Sequence, residues 1–364
     1  MLVKLKDIAS VTMGQSPDSK YYNSNQEGLP FLQGRTTFGR IYPYYDTWAS
    51  QYNKVAQDGD ILMSVRAPVG DLNRCQTSTA IGRGIAAINS TNVDNDYLYY
   101  LLLANKNHIC TRSTGSVYDS ISKPDLENLD FDIHNEQEQC NIVNILGTID
   151  DKIDNLENCN NKLIDYSNNL YNNYFSQCEE KTLLSNIAIM KSGFAFKSDW
   201  WQPTGIPVIK IANIDNSLNM EGCSFVSNDK IELAKEFIAN QGDIVFAMTG
   251  ATLGKFCIVP KHDGTYLVNQ RVGKFFIKNN NLPFLYCTLK TKEVFESILN
   301  LGSGSAQPNI SAIDVNNLLV KYNKTLVENF NNKLNPIFNK IINNTYTIQK
   351  LNELKQLYLK KFFG

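Results

Sequence analysis

Three stretches of the chain, and its three histidines, hold residue types that do chemistry in enzymes, and each departs from the pattern the chemistry needs. Asn335-Pro-Ile-Phe338 has the outline of the (Asp/Asn)-Pro-Pro-(Tyr/Phe) motif that grips a target amine in amino-methyltransferases, but the second proline is missing. It also lies inside a heptad-patterned segment, and no FxGxG-type loop for S-adenosylmethionine accompanies it. Gly250-Ala-Thr-Leu-Gly254-Lys255 approaches a phosphate-binding loop with three intervening residues in place of four, and Phe256 stands where a magnesium-binding hydroxyl belongs. Pro17-Asp18-Ser19-Lys20 begins like a nuclease PD…(D/E)xK pattern without its separate second carboxylate. His108, His134 and His262 are spaced for neither a triad nor a metal site. The chain is therefore expected to be non-catalytic and to carry no metal.

Bulk properties set the class. At 364 residues the chain exceeds the roughly 250–300 that a single core serves, so two or more domains are expected. A net charge of −1 argues against blanket binding of polyanions. No apolar run approaches the ~18 residues of a membrane span, and MLVKLKDIAS has no signal-peptide core. The eight cysteines include no close CxxC pair, which favours reduced thiols over disulfides or zinc. These features point to a soluble protein of the cytoplasm with no membrane partner.

The chain is written twice. GSVYDSISKPDLENL (115–129) and GSAQPNISAIDVNNL (304–318) align without a gap and agree at seven of fifteen positions. Leu5-Lys-Asp-Ile-Ala-Ser matches Leu184-Ser-Asn-Ile-Ala-Ile, with Gly14 and Gly193 following at the same distance. Gly28-Leu-Pro-Phe-Leu matches Gly205-Ile-Pro-Val-Ile, and Gly59-Asp-Ile-Leu-Met-Ser-Val matches Gly242-Asp-Ile-Val-Phe-Ala-Met. Gly70 and Gly254 complete the series. Five paired motifs in one order establish a duplication. Within each copy, short β-rich runs opened by Gly-Asp turns predict a β-dominated unit, with helical pieces at 94–105 and 281–299. The loops 115–122 and 304–311 keep their Gly-Ser and Ile-Ser frame and vary the four residues between, with Ser122 and Ser311 placed as helix N-caps.

After each unit the period changes to seven. Ile142, Ile149, Leu156, Leu163 and Leu170 interleave with Leu146, Ile153, Asn160, Ser167 and Tyr174. The C-terminal segment repeats this with Leu334, Ile341, Ile348 and Phe362 against Ile337, Asn344, Leu351 and Tyr358. Both predict long coiled-coil helices, with Asn160 and Asn344 as register-setting polar positions. Residues 136–180 hold two lysines against nine acids, and residues 323–364 hold seven lysines against two acids. Opposite charge favours pairing of the two segments with each other. The expected organisation is α+β: globular unit 1–135, helix 136–180, globular unit 181–322 and helix 323–364, with the repeats separated and held by two antiparallel helices in pseudo-twofold relation.

This order of unit, long helix, unit, long helix resembles the specificity subunit of type I restriction-modification systems. The carriers of the resemblance are the paired Gly-Asp-Ile turns, the GSVYDSIS and GSAQPNIS loops, and the helix ends Leu170-Tyr171-x-x-x-Phe175 and Leu357-Tyr358-x-x-x-Phe362. The resemblance implies that each globular unit is a target recognition domain reading one half of a bipartite site on double-stranded DNA. It implies that the helices set the spacing and dock two methyltransferase subunits, through which restriction subunits join. No cofactor is expected in this chain; S-adenosylmethionine, and ATP with magnesium, would belong to those partners. A duplicated adaptor or glycan-binding protein on a coiled coil is the alternative, since aromatic loops such as IYPYYDTW suit sugars as well.

Base edges are read best by arginine on guanine and by asparagine or glutamine on adenine. Six of the seven arginines fall in the first unit, Arg112 among them. The first-unit candidates are Gln33, Arg35, Arg40, Arg66, Arg74, Arg83 and Tyr118. Those of the second are Lys210, Asn213, Thr249, Lys255, Gln270, Arg271, Gln307 and Asn309. By the same resemblance Leu170, Tyr171, Phe175, Leu357, Tyr358 and Phe362 are the partner-docking residues on the helices.

Overall fold

Gly59 and Gly242, the glycines of the two Gly-Asp turns, both adopt φ +87°, a left-handed conformation that favours glycine. The aspartate that follows each one ties the turn down: the Asp60 carboxylate accepts the Gln57 amide at 2.8 Å, and that of Asp243 accepts the Asn240 amide at 2.8 Å. Each turn then feeds a short apolar strand buried along its whole length. The computed structural model describes residues 1–111, 120–302 and 309–364, and it shows the sequence repeat as a structural one.

In the first repeat, β1 (Ala9–Met13), β2 (Ile61–Ser64), β3 (Leu72–Arg74) and β4 (Ile85–Ser90) form an antiparallel sheet ordered β1-β4-β2-β3. The long helix α1 (Glu136–Phe175) follows. In the second repeat, β5 (Ala188–Ser192), β6 (Ile244–Ala247), β7 (Phe256–Ile258) and β8 (Val272–Ile277) form an antiparallel sheet ordered β5-β8-β6-β7, the same topology. Helix α2 (Lys324–Phe363) closes the chain. Each repeat also has a five-stranded mixed sheet whose one parallel pair is again duplicated, Leu29–Leu32 on Thr79–Ile81 and Ile206–Ile209 on Tyr266–Val268.

The predicted helical piece at 94–105 is the helix Asn95–Ala104, whose cap Asp94 accepts the amides of Asp96 and Tyr97. The piece at 281–299 is two helices, Leu282–Lys290 and Lys292–Leu301. Thr291 interrupts them with an extended backbone and caps the second by accepting the Val294 amide. Helix α1 stops at Phe175, short of residue 180, where the Cys178 amide turns back onto the Phe175 carbonyl.

Two compact units emerge, Met1–Asp151 with Asn352–Gly364 and Lys152–Leu351, so each long helix contributes a segment to both. In the first, Ile142 and Leu146 of α1 and Leu359 of α2 join one core with Leu5, Ile61 and Phe131. In the second, Tyr171 and Phe175 of α1 meet Phe330 of α2 and Phe284, with ring centroids 5.1–5.8 Å apart. Fully burying each such ring contributes on the order of 1.5–3 kcal/mol. Within each unit the two helix segments run antiparallel.

The polar seam positions pair as their spacing predicts. The Asn344 carboxamide donates to Oδ1 of Asn160 at 2.8 Å, and Asn160 donates to the Thr345 hydroxyl at 3.3 Å. Both asparagines are buried. In the first unit the seam carries charge instead. Buried Lys355 donates to both carboxylate oxygens of Asp150, at 2.7 and 2.8 Å, and Tyr100 donates to Oδ2 at 2.8 Å. Burial holds the Lys355 ammonium below the usual lysine range, opposed by the attraction of Asp150.

The shared helix ends do not share an environment. Tyr171 is 5% exposed and Phe175 1%, whereas Tyr358 and Phe362 are half-buried and Leu357 is 64% exposed. The two helices begin 188 residues apart, at Glu136 and Lys324, but the Leu-Tyr-x-x-x-Phe match lies 187 apart. One residue rotates a helical position by about 100°, so like letters face different ways. Among the described residues, no helix is long and apolar enough to cross a membrane.

Candidate nucleic-acid interface

Each repeat has a concavity beside the exit of its buried central strand, and the linings share equivalent positions: Arg66 with Thr249, Arg83 with Gln270 and Gly84 with Arg271. In the first, the chain leaves β2 through Val65 and Arg66, where the Val65 amide donates to the Gly84 carbonyl at 2.9 Å. Ser120 returns beside Arg66 as an isolated bridge, and the Ile121 amide donates to the Val65 carbonyl at 3.1 Å. In the second, the Met248 amide donates to the Arg271 carbonyl at 3.1 Å, Asn309 bridges Thr249, and the Ile310 amide donates to the Met248 carbonyl at 2.9 Å. Ile121 and Ile310 are buried anchors, and Ser122 and Ser311 cap the next helices by accepting the Asp125 and Ile313 amides. The frame predicted for the loops 115–122 and 304–311 is therefore present on the described side of each.

Glycines bring the backbones together at the back of the frame. A Cβ on Gly14 would lie 2.2 Å from the Gly82 carbonyl oxygen, and one on Gly193 would lie 2.4 Å from the carbonyl oxygens of Asn269 and Val268. Both glycines donate their amides across this approach, Gly14 to Ile85 and Gly193 to Val272. That packing fixes the loops entering β4 and β8, which carry Arg83 and Gln270-Arg271.

The first concavity, about 640 Å³, is lined by Gln33, Arg35, Arg66, Pro68 and Arg83 among others. The second, about 530 Å³, is lined by Thr249, Gln270, Arg271, Asn309 and Ser192 among others. Eight of the predicted reading residues thus converge, four in each repeat. Arg66, Arg83, Gln270, Arg271 and Asn309 are exposed there, whereas Thr249 is 8% exposed. Gln33 is partly committed, because its Oε1 accepts from Ser16 at 3.0 Å and from Tyr22 at 3.4 Å. Arg35 is paired with Asp71 at 2.7 Å, and Asp71 also takes Lys106 at 2.6 Å.

The remaining predicted readers are held elsewhere. Arg40 pairs with buried Asp150 at 3.1 Å, which makes it part of the helix anchorage. Arg74 pairs with Asp96 and lies over the Tyr99 ring at 4.2 Å, with 18% of its side chain exposed. Lys210 donates to Ser224 at 2.7 Å over the Trp201 ring at 3.7 Å, and burial lowers its ammonium from the usual value. Asn213 is buried and spends its carboxamide on the Lys210 amide and the Asn219 carbonyl. Lys255 pairs with Asp215 at 2.8 Å. In these five residues a nearby carboxylate, ring or carbonyl already engages the group. Tyr118 and Gln307, and Arg112 with them, lie outside the described residues.

Sequence reasoning missed Asp71 and Ser16, which tie down Arg35 and Gln33. Asp71 follows Gly70, one of the paired glycines, and that position was the available signal. Of the expected docking residues, Tyr171 and Phe175 are core residues of the second unit, whereas Leu357 is open.

Comparison with known proteins agrees with this duplicated frame. The family model for the type I restriction modification DNA specificity domain matches residues 1–164 and again 179–357. A protein assigned as the MjaX type I restriction enzyme specificity subunit of Methanocaldococcus jannaschii is 44% identical over 146 residues, 40% of this chain. That match spans 34% of the relative's length. The MjaIX type I restriction enzyme specificity subunit of the same organism is 22% identical over 99% of this chain and 92% of its own. The solved type I restriction-modification S subunit from M. genitalium superposes with a TM-score of 0.60 over 100% of this chain and 96% of that one, at 18% identity, a likeness of fold. With both repeats matched in full sequence order, the chain belongs to the family of type I restriction modification DNA specificity domains and carries that domain twice.

Proposed function

We propose that the chain is the specificity subunit of a type I restriction-modification complex, and that each repeat reads one half of a bipartite DNA sequence through the concavity at its loop frame. One observation carries the reading. Most of the cationic side chains expected to bind DNA are neutralised or stacked within the protein, and the donors left uncommitted gather at the same frame position in both repeats. A frame that keeps its backbone hydrogen bonds while changing its side chains suits two readers of different half-sites.

In this reading the chain does no chemistry. Two methyltransferase subunits dock on the helices, with Leu357 on a docking face, and restriction subunits join through the complex in the cytoplasm. The paired helices set the gap between half-sites. S-adenosylmethionine, and ATP with magnesium, are held by those partners. Of the aromatic loop residues suited to a glycan, Tyr45 is turned onto Thr79 at 2.9 Å, while Tyr42 and Tyr44 are exposed.

The test is co-expression with a type I methyltransferase subunit, followed by sequencing of the methylated DNA. A bipartite methylated sequence is expected, with one half lost when Arg66 and Arg83 are both replaced by alanine. Methylation whose sequence preference is untouched by that change overturns the proposal.

A further inference from the structure

We infer that the two half-sites differ in base composition: the concavity of the first repeat reads guanine, and that of the second reads adenine. The inference rests on the function proposed above and assigns the bases each site takes. Guanine presents two acceptors, O6 and N7, on its major-groove edge, and the planar fork of a guanidinium supplies two matching donors. Adenine presents an acceptor beside a donor, N7 and N6, and a carboxamide offers the matching donor and acceptor in one planar fork.

Among the described residues, the first concavity has two uncommitted guanidinium groups and, in Gln33, one partly committed carboxamide. Arg66 and Arg83 are exposed in the lining of this concavity, and among the described residues neither guanidinium makes a hydrogen bond or ion pair. The carboxamide present, Gln33, already accepts from the Ser16 hydroxyl at 3.0 Å, with the Tyr22 hydroxyl, shared with the Pro17 carbonyl, 3.4 Å away. Its acceptor is partly committed, which makes it a weaker match for adenine than an open carboxamide.

At the equivalent positions the second repeat replaces each of these groups. Gln270 takes the place of Arg83, Thr249 that of Arg66, and Asn309 that of Ser120. The Gln270 and Asn309 carboxamides are exposed and have no hydrogen-bond partner among the described residues, so both donor and acceptor are open. Arg271 adds a cation to the same rim, where phosphate or a neighbouring base can take it. The backbone frame is held constant while the guanidinium at the Arg83 position in one copy becomes the Gln270 carboxamide in the other, with Asn309 beside it.

The experiment is selection from a pool of randomised duplex DNA by the full chain co-purified with its methyltransferase subunit. The pool is run against wild type, Arg66→Lys, Arg66→Ala with Arg83→Ala, and Gln270→Ala with Asn309→Ala. All four positions are surface side chains, and unchanged thermal melts verify the fold. The expected result is a bipartite consensus with guanine in one half and adenine in the other. The double arginine variant loses guanine preference in its half alone, by roughly 5- to 140-fold per bidentate contact. The double carboxamide variant loses adenine preference in the other half alone. Arg66→Lys keeps the charge and the affinity but loses the discrimination, which a structural or purely electrostatic role would not produce.

A bipartite consensus in which the arginine variants weaken binding evenly, or in which the carboxamide variant relaxes a guanine, overturns the assignment and leaves the proposed function standing. Failure of wild type to select any bipartite consensus overturns both.

Discussion

Lys355 and Asp150 form a closed ion pair in the interior of the first unit, with the ammonium 2.7 and 2.8 Å from the two carboxylate oxygens. Arg40 approaches the same carboxylate at 3.1 Å and Tyr100 donates to it, so one anion answers two cations. Lys355→Met is expected to destabilise the chain by on the order of 3 kcal/mol or less, because Arg40 still compensates Asp150. Asp150→Asn should cost more, since it leaves Arg40 and Lys355 facing each other without an anion. Denaturant unfolding of the two variants checks the order, and equal losses would contradict it.

The Asn160–Asn344 pair predicts a different pattern. Asn160→Leu alone strands a buried carboxamide and is expected to cost about 1–3 kcal/mol. Adding Asn344→Leu removes the stranded group and should recover most of that loss. A double-mutant cycle in urea measures the coupling, and additive single losses would show that the carboxamides do not depend on each other.

Arginines divide into two classes that a paired measurement can separate. Arg74→Ala removes the Asp96 pairing and the stacking on Tyr99, and is expected to cost about 1–2 kcal/mol of stability with little change in DNA selection. Arg66→Ala should leave the melting temperature within a degree or two and change DNA selection. A fall in stability with Arg66→Ala and an unchanged melt with Arg74→Ala would reverse the assignment.

Alkaline unfolding has a definite sign. Burial pushes the Tyr171 hydroxyl up from 10.0 to about 12, against the opposing hydrogen bond from Thr288. Between these values the unfolded chain has lost this proton and the folded chain has kept it. The group's stabilising contribution is complete below pH 10 and is lost as pH rises towards 12, at up to about 1.4 kcal/mol per pH unit. Tyr99 and Cys257, also pushed up to about 12 by burial, add to the wild-type slope. The Tyr171→Phe variant should therefore decline less steeply than wild type over this window, and parallel curves would refute the assignment.

With a net charge of −1 and an acidic first unit, the chain alone has few cations to release counterions from DNA. Binding by the isolated chain is expected to be weak and to fall steeply with salt, with strong binding only in complex with methyltransferase. Fluorescence anisotropy across a salt series measures this, and nanomolar binding by the chain alone in physiological salt would contradict it.

Much of the fold was legible because a duplication reports the same constraint twice. Gly59 and Gly242 share a left-handed turn, and Asn160 and Asn344 interrupt an otherwise apolar period, so spacing alone located the turns and the polar seam. Side-chain commitment was less legible. Arg74 and Arg66 look alike in sequence, and what separates them is that the fold brings Asp96 and Tyr99 to one and leaves the other open. The Leu-Tyr-x-x-x-Phe helix ends look alike but sit differently for a related reason: a one-residue offset along a helix preserves the letters and changes the face.

Gly14 and Gly193 carry a consequence for variation of the protein. Each stands where any side chain would drive into a carbonyl oxygen, and each lies one backbone hydrogen bond from the loop that presents Arg83 or Gln270. A saturation library of the two repeats should therefore return a sharply graded map, intolerant at these two glycines and permissive at the rim. New sequence preferences can be sampled at the rim with the folded scaffold left whole, so long as both glycines stay fixed.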